Sequence, residues 1–401
     1  MKIVADDRIP FLRGVFEPFA EVVYLPGSQI DAASVRDADA LIVRTRTRCG
    51  RELLEGSRVK AVASATIGFD HIDTAWCEQA GISWSAAPGC NSGSVAQYVA
   101  SALAVLATRR GLHFEKMTLG VVGVGHVGTK VAAVGRALGM RVLLNDPPRE
   151  RAQKAVQANC DGFKERFVSL DEVIAESDIV TLHVPLTKDG SDATWHLFDA
   201  ERLAMLRQGQ ILINTSRGEV VDGAALKERL SADPRRACCL CSTSAVLDVW
   251  EGEPFIDAEL ARMVEIGTPH IAGYSADGKA AGTTAAVRFV ASQLGLPLEG
   301  WCPPALPEPE ECRKDALQDY GNCLRLVIDA AGKTRQEVLC EAILATYDIR
   351  RDSAALASDF SDFEALRGNY PVRREPGAYR LTLLNSNKAT EAALEALGFH
   401  L

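Results

Sequence analysis

Apolar residues in the first ninety positions fall in short runs, each stopped by turn-forming residues. MKIVAD, EVVYLPG, ALIVRT, VKAVASAT and ISWSAAPG each read as one short strand, and helix-length segments lie between most of them. The runs are continuous rather than alternating, which suits a parallel sheet covered on both faces. A long helical stretch is predicted over 92–110, with a turn through Gly111. A second series follows: TLGVVG, RVLLND, SDIVTLHVP, QILINTS and SAVLDVW, again separated by helix-length segments and ending near 269–273. This is the pattern of a doubly wound sheet. A helix is predicted over 283–294, and then Pro297, Pro303, Pro304, Pro307 and Pro309 mark a linker. Beyond it the pattern predicts helices over 314–331, 335–345, 360–369 and 390–397 and a strand over 379–384. The expected architecture is α/β, with two doubly wound parallel-sheet domains and a small α+β C-terminal region with its own core. The expected boundaries are 1–92 with 274–296, then 93–273, then 297–401.

Composition narrows the function class. The chain has 401 residues, 47% of them hydrophobic and 24% charged, as in an ordinary globular protein. Forty-four basic against fifty-three acidic residues give a net charge of −9, which argues against a nonspecific nucleic-acid binder. The best apolar stretch, 95–107, is broken by Gln97, Tyr98 and Ser101, so no membrane span is expected. Asp6, Asp7 and Arg8 stand where a signal peptide needs its apolar core. The eleven cysteines therefore read as reduced thiols in a cytoplasmic protein. Cys238, Cys239 and Cys241 invite a metal reading, but no second ligand pair accompanies them. They read instead as a Cys-rich entry to the strand at 244–249, and no metal is expected.

Gly123-Val124-Gly125-His126-Val127-Gly128 matches G-x-G-x-x-G in the setting the motif requires. It follows the apolar run 119–122 and opens a helix with apolar positions at Val127, Val131, Val134 and Leu138. Gly123 allows the tight turn, Gly125 admits a pyrophosphate, and Gly128 lets the helix approach the strand. Asp146 closes the next strand, where an acid binds ribose hydroxyls and repels a 2′-phosphate. NAD is therefore expected over NADP, with Arg149 nearby as the opposing signal, and the domain reads as Rossmann-like.

Arg217 in NTSRGEVVD, Glu253 in LDVWEGEP and His270 in TPHIAGY each lie just past a strand of the second series. Oxidising an alcohol needs a base, and imidazole titrates in the useful range. A carboxylate beside it favours the imidazolium, and a guanidinium suits a substrate carboxylate. Singly, each has an ordinary alternative: a surface arginine, a turn glutamate before Pro254 and a packed loop histidine.

Together, GVVGVGHVG, NTSRGEVVD, LDVWEGEP and TPHIAGY resemble the D-isomer-specific 2-hydroxyacid dehydrogenases. KIVADDRIP, ATIGFDHID, AAPGCNS, HIAGYSADGKAAGT and the tail YDIRRD…FEALRGNYPVRRE extend the resemblance over most of the chain, toward a branch acting on a phosphorylated acid. The resemblance implies that Arg217 orients substrate, that Glu253 is the partner carboxylate and that His270 is the acid/base. It implies cofactor contacts at the glycine turn (Gly123, Gly125, His126, Val127, Gly128), Asp146, Val184, Thr215, Ser216, Arg217, Asp248 and Gly273. It also implies substrate contacts at Thr45, Thr66 and Tyr274, and a homodimer formed through the C-terminal region. The stretch 235–243 looks inserted relative to the family.

Arg44, Arg46 and Arg48 alternate with threonines, and strand periodicity would set the three arginines on one face. Arg44 is the preferred partner for a substrate phosphate; Arg46 and Arg48 read as solvated edge charges. Arg350, Arg351, Arg373 and Arg374 read as basic pairs that form ion pairs across a dimer, or of which one reaches the partner's substrate. Two other readings stand beside the main one. The first is the same chemistry on phosphoglycerate, glycerate or hydroxypyruvate, and the second is an NAD-sensing binding protein.

Overall fold

The computed structural model describes residues 1–156, 165–232, 242–309 and 324–401. The chain divides into two compact units, Met1–Ser92 with Tyr274–Pro307 and Gly93–Gly273 with Glu308–Leu401.

The first unit is built on a parallel five-stranded sheet. Its strands are β1 (Lys2–Asp6), β2 (Glu21–Leu25), β3 (Ala40–Val43), β4 (Ala61–Ser64) and β5 (Ser83–Ser85), in the order β2-β1-β3-β4-β5. Side chains alternate between its two faces. Ile3, Ala5, Ala40, Ile42, Ala61 and Ala63 pack with Ala286, Val287, Val290 and Ala291 of the helix Ala276–Leu294. Val4, Leu41, Val43 and Val62 pack with Val35, Leu53, Leu54 and Cys77. Covering both faces accounts for the unbroken apolar runs of β1, β3 and β4. The predicted helix start at 283 falls short, because Ser275 caps the helix by accepting from Gly278 N–H, which puts the first turn at Ala276.

The second unit carries β6 (Thr118–Val122), β7 (Arg141–Asn145), β8 (Ile179–Leu182), β9 (Ile211–Asn214), β10 (Ser244–Leu247) and β11 (Ile266–Gly267). They form a parallel sheet in the order β11-β10-β9-β8-β6-β7. The α/β class with parallel sheets is as the pattern predicted; β11 is two residues long, too short to leave a periodic signal.

The C-terminal segment differs from expectation in its secondary structure. Residues 324–329 were predicted as the end of a helix, yet they form β12 (Leu324–Asp329), which pairs in parallel with β13 (Tyr379–Leu384). Leu324, Ile328 and their neighbours alternate as a strand does, and the partner strand supplies hydrogen bonds that sequence could not reveal. Part of the segment packs into the second unit. Leu356 and Phe363 join Leu226, Leu247, Trp250 and Leu260 in one buried cluster of the second unit. They stand on the helices Ile349–Ser358 and Phe363–Gly368, the first of which the pattern missed. The Cys238, Cys239 and Cys241 group and residues 235–241 of the suggested insertion at 235–243 lie outside the described residues. Among the described residues no helix is long and apolar enough to cross a membrane, and no cluster of potential metal ligands occurs.

Candidate active site

In a parallel sheet every carboxyl end lies on one edge, so the loops leaving it are gathered together. From that edge of the second sheet come Gly123 after β6, Asp146 after β7, Val184 after β8 and Thr215–Arg217 after β9. Asp248 and Glu253 follow β10, and His270 follows β11. Strand order therefore sets Arg217, Glu253 and His270 on three adjacent strand ends, although 53 positions part the first from the last in sequence.

The glycine turn has the expected form. Gly123 adopts φ +84° and the helix His126–Ala137 begins at once, with exposed His126 and half-buried Val127 in its first turn. A side chain at Gly128 would collide with the Gly123 carbonyl oxygen, so glycine there permits the close approach. Asp146 accepts the Val124 N–H (2.8 Å) and the Arg149 N–H (2.9 Å), which fixes its carboxylate beside the turn. Arg149 itself pairs with Glu165 (2.7 Å) and donates to the Val124 carbonyl and to Thr129. A 2′-phosphate would meet a carboxylate, with the nearest arginine already committed. The set fits NAD: the helix N–H groups would hold the pyrophosphate and the acid the ribose hydroxyls. Val184 borders the turn, within 2.8 Å of where a Gly123 side chain would stand.

After β9, Asn214 shapes the loop. Its side chain accepts from Ser216 N–H (3.0 Å) and Ser216 Oγ (2.8 Å) and donates to the Arg217 carbonyl (2.8 Å). Half-buried Arg217 donates to the Ser216 carbonyl at 2.8 Å. Thr215 Oγ1 lies 3.2 Å from Nδ1 of His183, whose Nε2 lies 2.9 Å from Thr181 Oγ1. Enclosure pushes that imidazole down to about 3, so it stays neutral in the folded protein.

The loops after β9, β10 and β11 are cross-braced. A side chain at Gly218 would overlap the Trp250 backbone, so glycine allows the first two loops to touch. The Trp250 indole donates to the Thr268 carbonyl (2.9 Å), tying the second to the third. Buried Asp248 accepts from Thr268 Oγ1 (2.7 Å), Ile271 N–H (2.8 Å) and Ala272 N–H (2.9 Å). Burial pushes the Asp248 carboxyl up, against the pull of His270 and these donors. Gly273 ends this loop. His270 is held in the left-handed region, φ +56°, by its N–H bond to the Asp248 carbonyl (2.7 Å).

His270 Nδ1 meets Glu253 Oε1 at 2.5 Å. Burial alone would push the Glu253 carboxyl up, but the bond and charge of His270, aided by Arg367, leave it below its usual value. The pair therefore holds a carboxylate on Nδ1 and leaves Nε2 as the imidazole's proton-exchanging atom.

On the first sheet, Asp6, Arg44 with Thr45, and Thr66 leave the carboxyl ends of the adjacent strands β1, β3 and β4. Arg44 donates to Oδ1 of fully buried Asp6 (3.0 Å). Thr45 is exposed; Thr66 Oγ1 is 2.8 Å from Ser64 Oγ. The Tyr274 ring lies under Lys279, 5.0 Å from its Nζ. The strand reading of Arg44, Arg46 and Arg48 is corrected: β3 ends at Val43 and a turn follows, with Thr47 buried and donating to the Gly27 carbonyl (2.8 Å). Period two thus has no strand to act on. Of the tail arginines, Arg350 pairs with Asp348 in its own chain, and Arg373 is buried. The sequence reading missed Asp6 and Asn214, and it missed that Arg373 meets the carbonyls of Ile271 and Ala272. For Asp6, an acid ending an apolar strand was the available signal.

The family model of the D-isomer specific 2-hydroxyacid dehydrogenase, NAD binding domain, matches residues 96–272. The chain is 47% identical to the erythronate-4-phosphate dehydrogenase of Bacteroides fragilis over 96% of its own length and 99% of that protein's. It is 42% identical to the enzyme of that name from Pseudomonas syringae pv. syringae, over 99% of each. The chain belongs to the erythronate-4-phosphate dehydrogenases, within the D-isomer-specific 2-hydroxyacid dehydrogenase family. A further model, a domain of unknown function (DUF3410), matches residues 326–398. Among solved structures, the D-lactate dehydrogenase from Aquifex aeolicus complexed with NAD and lactic acid is similar with TM-score 0.57 and 26% identity. That likeness covers 77% of this chain and all of that one. The TT0316 protein from Thermus thermophilus has TM-score 0.59 at the same identity and coverage. The structural likeness thus spans about three quarters of the chain, while the full-length relatives also cover the tail.

Proposed function

We propose that the protein oxidises 4-phospho-D-erythronate at C2 to (3R)-3-hydroxy-2-oxo-4-phosphooxybutanoate, a step toward pyridoxal 5′-phosphate. The observation that carries the chemistry is the Glu253–His270 bond at the edge of the NAD-binding sheet. The choice of substrate rests on the full-length likeness to relatives of that name. NAD⁺, when bound, accepts the hydride leaving C2.

The chain's own residues do the rest. His270 Nε2 takes the proton of the C2 hydroxyl as the C–H bond breaks, and Glu253 stabilises the resulting imidazolium. Arg217 orients the substrate carboxylate and the oxygen that becomes the ketone. The glycine turn, Asp146, Val184, Thr215, Ser216, Asp248 and Gly273 hold the cofactor. On the first sheet, Arg44, Thr45, Thr66 and Tyr274 take the substrate, with Arg44 on the phosphate. The protein works as a cytoplasmic homodimer, its C-terminal segment forming the interface; sedimentation of the full chain tests the dimer, and hydrogen exchange compared above and below its dissociation concentration tests the interface.

The activity test is NADH formation with 4-phospho-D-erythronate, D-erythronate and 3-phospho-D-glycerate in parallel, repeated with a 2-oxo acid to reoxidise retained cofactor. Preference for the first, lost in His270→Ala, is expected. Equal or faster turnover of 3-phospho-D-glycerate overturns the substrate, and silence with all three overturns the enzyme reading.

A further inference from the structure

Arg373 lies in the C-terminal segment, outside the region the NAD-binding family model matches, and is only 5% exposed. Its guanidinium lies 4.4 Å from the Tyr347 ring centroid and 5.7 Å from that of Tyr370. Both phenols donate to one oxygen of Asp352, each at 2.7 Å. Among the described residues, no carboxylate touches the guanidinium itself. What it reaches instead are two backbone carbonyls, those of Ala272 (2.5 Å) and Ile271 (3.3 Å), with the Tyr370 hydroxyl at 3.5 Å.

A buried cation without a direct counter-ion is a costly way to secure a loop, and a neutral donor would satisfy two carbonyls for less. The choice has a rationale in what the same peptides do on their other side. The N–H groups of Ile271 and Ala272 are both taken by the buried Asp248 carboxylate. An anion thus grips the N–H side of these two residues and a cation grips their C=O side. The residue immediately before them, His270, sits in the left-handed region, which a non-glycine side chain keeps only when its surroundings over-determine it. Elsewhere the segment is anchored to the same unit: Ser353 Oγ accepts from Gly267 N–H (3.4 Å), and Gln97 donates to the Arg374 carbonyl (2.9 Å).

We propose that Arg373 is a positioning residue for His270: by clamping the carbonyls of Ile271 and Ala272 against Asp248 it holds the imidazole in line with Glu253. The C-terminal segment thereby completes the catalytic loop within its own chain. This rests on His270 being the acid/base of the proposed reaction.

Two readouts test it on the full-length protein, one kinetic and one spectroscopic. The Nδ1 proton shared with Glu253 gives a far-downfield proton NMR signal, assigned by its loss in His270→Asn. In Arg373→Met the signal broadens or vanishes and kcat falls roughly 10- to 100-fold, as for a misplaced catalytic group. KM for NAD⁺ shifts by less than about threefold, because the glycine turn is untouched. Arg373→Lys keeps the charge but loses the planar fork, and falls between Arg373→Met and the parent in both readouts. An Arg373→Met protein with an unchanged signal and kcat within about twofold overturns the proposal. If Arg373→Met fails to melt cooperatively, Arg373→Lys decides alone, and parental signal and kcat there overturn the proposal. Should the parent turn over no 2-hydroxy acid, the functional reading falls while the NMR signal still judges the clamp.

Discussion

The two parallel sheets of this chain end in loops that are braced in different ways. Beyond the six-stranded sheet the loops are bonded to one another: Gly218 against Trp250, Trp250 to Thr268, Asp248 to Ile271 and Ala272, and Glu253 to His270. Beyond the five-stranded sheet, Arg44 is held by Asp6 and Thr47 by the Gly27 carbonyl, while Thr45, Arg46 and Arg48 beside them stand exposed. Proton transfer tolerates little error in the placement of the base, whereas binding a phosphate needs charge and hydroxyls within broader limits. In the proposed reaction, the loop that carries the base is the one tied to its neighbours through both backbone and side chains.

That contrast is broken or sharpened by four measurements. His270→Asn keeps the loop and removes the base, and kcat is expected to fall by about 10²–10⁴-fold; a loss under tenfold would move the acid/base role to another group. Next comes Gly218→Ala, which forces a methyl into the Trp250 backbone and is expected to cost about 2 kcal/mol or more in denaturant melts. Gly125→Ala is its control for stability, since a side chain there meets nothing within 4 Å. Equal melting of the two would show that the loops after β9 and β10 are not rigidly packed.

Third, Arg44→Met and Asp6→Asn are each expected to raise KM for the phosphorylated acid by about tenfold, the scale of one lost charge-assisted hydrogen bond. The parental kcat should be kept to within about threefold. A fall in kcat like that of the loop variants would erase the distinction between the two edges.

The last measurement concerns two histidines, one in each unit. Burial lowers the pKa of both His183 and His71, His183 to about 3 and His71 against the opposing pull of Asp70. An unfolded imidazole titrates near 6.5, so below that pH the unfolded chain binds a proton that folded His183 refuses. Its contribution to stability is therefore full above about 6.5 and shrinks as pH falls toward 3, by up to about 1.4 kcal/mol per unit. Chemical denaturation at pH 7, 6 and 5 should show a shallower loss in His183→Asn than in the parent, with His71→Asn flattening it less. The reverse ranking would put the more tightly enclosed imidazole in the first unit.

The glycine turn, Asp146 and the motifs around Arg217, Glu253 and His270 were all legible in the chain, because each is short and sits at the end of an apolar strand. The strand ends themselves were less so. ALIVRT reads on past Val43, but Thr47 is drawn into the interior by the Gly27 carbonyl, and the alternating arginines leave strand geometry. β12 was read as helix because its pairing with β13 lies 55 positions away in register.

The sequence by itself determined the α/β class, the place of the glycine turn and the choice of Glu253 and His270 as a pair, which the structure brings together. These depend on local periodicity and on residue chemistry, both written in adjacent positions. Only the tertiary structure decided that Asp6 holds Arg44, that His183 stands neutral behind Thr215, and that Arg373 reaches the loop of His270. Each of those is a contact across tens of residues, and its energy depends on burial, which exists only once the sheets have formed.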